Sequence, residues 1–101
     1  MLPTLTPEQR EQALKKAQEA RSERSAALAG LKNGSITLFD FLTSDNEVLR
    51  RTRVTQVLRA LPGVGKVRAT RLMEEARIDA NRRVSGLGPV QRATLEDLLA
   101  A

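Results

Sequence analysis

The sequence has no cysteine, no histidine, no tryptophan and no tyrosine, and only two phenylalanines among 101 residues. Without Cys there is no disulfide and no thiolate nucleophile, and without Cys and His the usual zinc sites are excluded, so neither a metal nor a cofactor is expected. An aromatic content of 2% removes the stacking platform that single-stranded nucleic acid needs, and leaves the core to Leu, Val and Ala. No stretch approaches the ~20 apolar residues of a membrane span, and Met1-Leu2-Pro3-Thr4 lacks the basic-then-apolar layout of a signal. The expectation is a cytoplasmic protein with no membrane partner.

What the sequence does have is positive charge. Seventeen Lys and Arg stand against 12 Asp and Glu, a formal net charge of +5. That balance suits a partner carrying many negative charges, with nucleic acid ahead of an anionic membrane surface. The length suits one domain plus an appendage, and the scarcity of rings favours closely packed helices.

The stretch Leu61-Pro62-Gly63-Val64-Gly65-Lys66-Val67-Arg68-Ala69 joins a glycine-rich turn to a helix predicted over roughly Lys66 to Arg77. Two glycines around a small apolar residue allow backbone conformations and close approaches that a Cβ forbids. The helix start behind them offers N–H groups without intrahelical partners and the positive end of the macrodipole, so the turn can hold an oxyanion before any side chain contributes. Lys66 and Arg68 add full charges. A bare G-x-G also serves simply to join two packed helices, but here apolar flanks, a preceding Pro and a basic helix start coincide. The pattern L-P-G-V-G-K-x-x-A resembles the helix-hairpin-helix and helix-two-turn-helix elements, whose hairpin holds the nucleic-acid backbone without reading bases. On that reading Gly63, Val64, Gly65 and Lys66 bind phosphate through backbone amides.

Upstream, Thr6-Pro7-Glu8-Gln9 reads as a helix start, with Thr6 as N-cap, Pro7 at the first helical position and Gln9 completing a capping box. The helix is expected to run to about Lys32, where Asn33-Gly34 supplies a left-handed C-cap. Leu14, Leu28 and Leu31 are its only large apolar residues, so residues 1–34 read as an arm and 35–101 as the binding domain. Lys15, Lys16, Arg21 and Arg24 either touch a second stretch of DNA or only solvate that arm. A short second helix opens at Thr37, and Phe39 and Phe41 are expected to anchor arm to domain. Thr43-Ser44-Asp45-Asn46 then turns the chain into a third helical region over roughly Asn46 to Ala60, divided near Thr52, with Val54, Val57, Leu58 and Leu61 at core spacing. Among its arginines, Arg53 is counted with the DNA-binding residues.

Downstream, Val84-Ser85-Gly86-Leu87-Gly88-Pro89-Val90 repeats the first turn weakly: Gly63 and Gly65 recur as Gly86 and Gly88, Val67 as Val90, Leu72 as Leu95. The final helix, about Pro89 to Ala100, carries Leu95, Leu98 and Leu99 inward. Arg82 and Arg83 sit just before this second turn, where packing gives little reason for paired arginines and phosphate contact gives a good one.

With these residues in place the chain resembles the actinobacterial integration host factors. The resemblance is nearly full length, covering Leu5-Thr6-Pro7-Glu8-Gln9-Arg10, the Ala/Arg/Glu-rich arm, the Leu61–Ala69 stretch, and Arg82-Arg83-Val84 followed by Gly86-Leu87-Gly88. It implies an all-α fold in which a long N-terminal helix precedes a small helix-two-turn-helix domain. It further implies a nucleoid-associated protein that binds duplex DNA through its backbone with little sequence preference, bends or compacts it, and assists a phage integrase. A monomer in solution is expected. The family is unrelated to the β-armed histone-like host factors. Its arginine cluster maps onto Arg82 and Arg83, while its third basic position is occupied here by Ser85, which loses one charge.

Three other classes compete. One is a protein-interaction module in which the arm docks on an integrase or a second copy, against which the arm's lack of large apolar residues argues. The hairpin also occurs in DNA glycosylases, but where those enzymes carry a lysine two residues after the second glycine this chain has Val67, and Glu74, Glu75 and Asp97 lack any visible partner to orient them, so no catalytic residue is expected. Ribosomal head proteins use a related helix-two-turn-helix, which makes RNA or ribosome binding the alternative, although the long basic tail of such proteins is missing.

Overall fold

The computed structural model describes residues 4–100, which leaves Met1-Leu2-Pro3 of the N-terminal layout, and Ala101, outside the described residues. The described chain is all-α: α1 (Pro7–Asn33), α2 (Leu38–Leu42), α3 (Glu47–Arg50), α4 (Val54–Ala60), α5 (Lys66–Glu75), a 3-10 turn at Val84–Gly86 and α6 (Pro89–Ala100). No helix among the described residues is long and apolar enough to cross a membrane.

Local chemistry sets most of the boundaries. Thr6 Oγ1 accepts from the Gln9 amide at 3.1 Å while Gln9 Oε1 accepts from the Thr6 amide at 3.0 Å, closing a capping box, and Gly34 ends the helix at φ 85°. Thr37 caps α2 and Asn46 caps α3 in the same side-chain manner. The expected division falls at Thr52. Its buried hydroxyl donates to the Val48 carbonyl at 2.9 Å, and its own carbonyl accepts from the Val84 amide at 2.9 Å, which ties the α3–α4 break to the second turn.

α5 stops two residues earlier than periodicity predicts. The Ile78 amide donates to the Met73 carbonyl at 2.8 Å and the Arg77 amide to the Glu74 carbonyl at 3.1 Å, a Schellman closure with Arg77 at φ 57° in the position glycine usually fills. Ile78 then folds back into the core.

Two apolar clusters share α4. Val54 and Leu58 face α5 and α6 through Ala69, Leu72, Met73 and Leu95; Val57 faces Ala27 and Leu31 of α1 and Phe41 of α2. Only the last turns of α1 are buried, so the rest projects. The radius of gyration is 15.9 Å, against about 13 Å for a compact chain of this length. Gly30 permits the chain to double back, because a Cβ there would lie 2.6 Å from Ile36 Cδ1. The two phenylalanines part company: Phe41 is fully buried in the cluster that holds Ala27 and Leu31 of α1, whereas Phe39 is 55% exposed and lies outside both clusters. In a five-residue helix only one face reaches the core, and residues two apart lie on different faces.

Candidate nucleic-acid interface

α4 ends at Ala60 and the chain turns through Gly63, whose φ of 76° is a conformation that costs an L side chain about 1–2 kcal/mol. Val64 departs from its expected part as an amide donor. Its N–H donates to the Leu61 carbonyl at 3.2 Å and its side chain is buried in the core, so Val64 anchors the turn. Gly65 caps α5 with no side chain to offer, and the first helical bond runs from the Ala69 amide to the Gly65 carbonyl at 2.9 Å. The amides of Gly65, Lys66, Val67 and Arg68 therefore have no acceptor among the described residues. All four residues are exposed, and a Cβ added at Gly63 or Gly65 would meet nothing within 4 Å.

Electrostatics reinforce this opening. α5 has no acidic residue in its first turn, and among the described residues neither Lys66 nor Arg68 has an ion-pair partner, unlike Arg51 and Arg82, which are held by Glu47 and Asp79. Unpaired N–H groups at a helix start, the macrodipole and two free cations all favour negative charge at one place.

A second group of charges comes from the only β-type pairing among the described residues. The Val54 amide donates to the Arg82 carbonyl and the Val84 amide to the Thr52 carbonyl, both at 2.9 Å, so Arg53 and Arg83 form an antiparallel bridge. In this register the two are a non-hydrogen-bonded pair, with Cα atoms about 4.5 Å apart and side chains on one face. Like charges so placed repel and are unfavourable for stability. Neither has a carboxylate partner among the described residues; Arg83 Nη1 donates to the Arg51 carbonyl at 3.3 Å, and both residues stay exposed.

Arg82, next in the chain, is used differently. Its guanidinium donates to Asp79 Oδ2 at 2.9 Å and to the Gly86 carbonyl at 3.0 Å, which fastens the second turn. Ser85 lies exposed on that turn with its hydroxyl unbonded. Sequence reading thus gathers Gly63, Gly65, Lys66 and Arg68 at one opening and Arg53 with Arg83 at another, while Val64 and Arg82 hold backbone in place.

One residue that it missed is Gln91. Its Oε1 accepts from the Gly88 amide at 3.0 Å and its Nε2 donates to the Arg77 carbonyl at 2.8 Å, so the start of α6 is partly closed. The signal was available: Gln91 stands three residues after Gly88, as Gln9 does after Thr6.

Residues 31–98 match the S13-like H2TH domain family. The chain is 46% identical over 97 residues to the integration host factor of Streptomyces coelicolor, covering 94% of this chain and 91% of that one. The integration host factor of Mycobacterium tuberculosis is 45% identical over 96 residues, covering 93% and 91%. The chain belongs to the integration host factor family. A solved structure of sIHF bound to an 8 bp palindromic DNA superposes with a TM-score of 0.81 at 41% identity, covering 83% of this chain and 97% of that one. Membership of the integration host factor family, with this fold, makes the chain non-enzymatic.

Proposed function

We propose that this protein is an architectural factor of the nucleoid that binds double-stranded DNA through its sugar–phosphate backbone. The observation that carries the reading is the run of unpaired amides from Gly65 to Arg68 at the exposed start of α5, with Lys66 and Arg68 beside it. Arg53 and Arg83 supply a second set of charges, and Ser85 follows Arg83 by two residues on the second turn. The DNA in the sIHF structure, a relative of the same fold, supports duplex DNA as the partner.

Backbone contact follows from what each group can discriminate. Main-chain amides and guanidinium groups recognise phosphate oxygens, which are the same at every step, while base readout needs side chains inserted along a groove. A single exposed ring, Phe39, makes no stacking platform. The protein therefore binds with little sequence preference, acts as a monomer, and bends or compacts the duplex it holds. In that role it assists site-specific integration by a phage integrase and the organisation of the chromosome.

Fluorescence titration of several unrelated duplexes at a series of salt concentrations tests this. Affinities should agree from one sequence to another, and log affinity should fall against log salt by about 0.9 for each phosphate neutralised. A strong preference for one sequence would replace the model with base readout. Displacement of the duplex by structured RNA at lower concentration would transfer the site to RNA.

A further inference from the structure

Between the end of α2, α3 and the start of α6 lies an open hollow of about 230 Å³, lined by Thr43, Ser44, Arg50, Ser85 and Arg92 over an apolar floor that includes Val84. A water molecule takes up about 30 Å³ of liquid, so a tetrahedral oxyanion fits there together with solvent. The chemistry of the rim is one-sided. Among the described residues Arg50 and Arg92 have neither an ion-pair partner nor a hydrogen-bond acceptor, and no carboxylate lines the hollow.

The hydroxyls point the same way. Thr43 Oγ1 already donates to the Phe39 carbonyl at 2.7 Å. Ser44 Oγ accepts from the Asn46 amide at 3.1 Å, which leaves its proton free, and neither the hydroxyl nor the amide of Ser85 is bonded. Two guanidinium groups, two hydroxyl protons and a main-chain amide thus face no matching acceptor, and what complements such a set is an anion with several oxygens.

We propose that this hollow is a phosphate-binding site, separate from the opening at α5, in which Ser44, Arg50, Ser85 and Arg92 hold the oxygens. The phosphate can belong to a duplex or to a free phosphorylated small molecule, and position favours the duplex, a choice that rests on the function proposed above. Leu99, seven residues beyond Arg92, lines a separate hollow with Pro62 and Val64 of the first turn. Both hollows open on the seam between α2 and α6, and seven helical residues span about 10 Å. Phosphates of one strand advance about 3.4 Å along the duplex axis per step, so both places fall within the footprint of one short duplex.

The test is a heteronuclear NMR titration of the full chain, once with a short random duplex and once with pyrophosphate, reading the amides of Ser44 and Ser85 and the Nε–H groups of Arg50 and Arg92. The amides of Gly65 and Lys66 report the α5 opening in the same spectra. The duplex should move both sets. In the double variant Arg50→Gln, Arg92→Gln the shifts at the hollow should vanish, those at Gly65 and Lys66 should persist, and the salt slope should fall by about 0.9 for each phosphate no longer neutralised. The single variant Arg50→Gln, at an exposed position, gives the same reading if the double variant unfolds. Movement of the hollow's signals by pyrophosphate alone assigns the site to a free phosphorylated ligand. If the duplex moves Gly65 and Lys66 while neither probe moves the hollow, the proposal is overturned and the DNA reading stands. A duplex that moves neither set overturns the DNA reading, and the hollow then stands or falls on pyrophosphate.

Discussion

The turns before α5 and α6 share a sequence pattern and one hydrogen-bond plan, yet offer different chemistry. In the first, the Val64 amide reaches the Leu61 carbonyl at 3.2 Å; in the second, the Leu87 amide reaches the Val84 carbonyl at 3.1 Å. Each helix then opens with a 2.9 Å bond back to its glycine cap, Ala69 to Gly65 and Arg92 to Gly88. The difference lies in what fills the start. Gly65 leaves the amides behind it bare, whereas Gln91 takes the Gly88 amide and Arg82 braces the Gly86 carbonyl. On the function proposed above, the first turn binds through main chain and the second mainly through side chains brought beside it.

The largest test of this contrast separates the neighbouring arginines. Replacing Arg53 and Arg83 together with Ala removes two charged groups, each worth roughly 1.5–3 kcal/mol when fully bonded to phosphate, so duplex affinity should fall by at least about tenfold. The salt slope should flatten by about 1.8 for two phosphates. Arg82→Ala should instead lower the melting temperature by loosening the second turn, with affinity changed by less than about threefold. Anisotropy titration and thermal unfolding read both effects. Equal losses of affinity from Arg82→Ala and from the double variant would end the division of labour.

A smaller effect is expected from the glycine caps. Gly65 has a φ of −91° and open space where a Cβ would stand, so Gly65→Ala should fold normally and act only by holding phosphate away from the amides. The expected loss of affinity is roughly threefold to tenfold. Gly88→Ala brings its Cβ to 3.5 Å from Gln91 Oε1, an ordinary van der Waals distance, and should leave affinity unchanged. Equal effects at the two positions would show that bare amides are not what distinguishes the turns.

Much of this fold was legible because its boundaries are local events. The Thr6 capping box, the Gly34 C-cap and the Thr37 cap each depend on residues within a few positions, and pattern reading finds such features. The end of α5 was not legible, since Arg77 is an uncommon left-handed cap that only the closure onto Met73 and Glu74 reveals. Phe39 was misplaced because composition tells how many rings exist, not which face of α2 meets the core. The pairing of Arg53 with Arg83 joins residues distant in sequence through an isolated bridge, which leaves no periodic trace. The sequence put both arginines among the candidates, but their shared face, and the separation of Arg83 from Arg82, exist only in three dimensions.

The smallest expected effect concerns Gln91, where the contrast between the turns can be reduced to one side chain. Gln91→Ala removes the acceptor of the Gly88 amide and the donor to the Arg77 carbonyl, so it loosens the start of α6 and the strained end of α5 together. Loss of a cap of this kind typically lowers stability by about 1 kcal/mol, and for a chain of this size that is a fall of about 4–8 °C in melting temperature. Duplex affinity should stay the same, because the second turn contributes charge from Arg53 and Arg83 and those residues keep their places. Tighter binding by the variant would mean that the released Gly88 amide serves phosphate as Gly65 does, and that one glutamine is what makes the two turns differ.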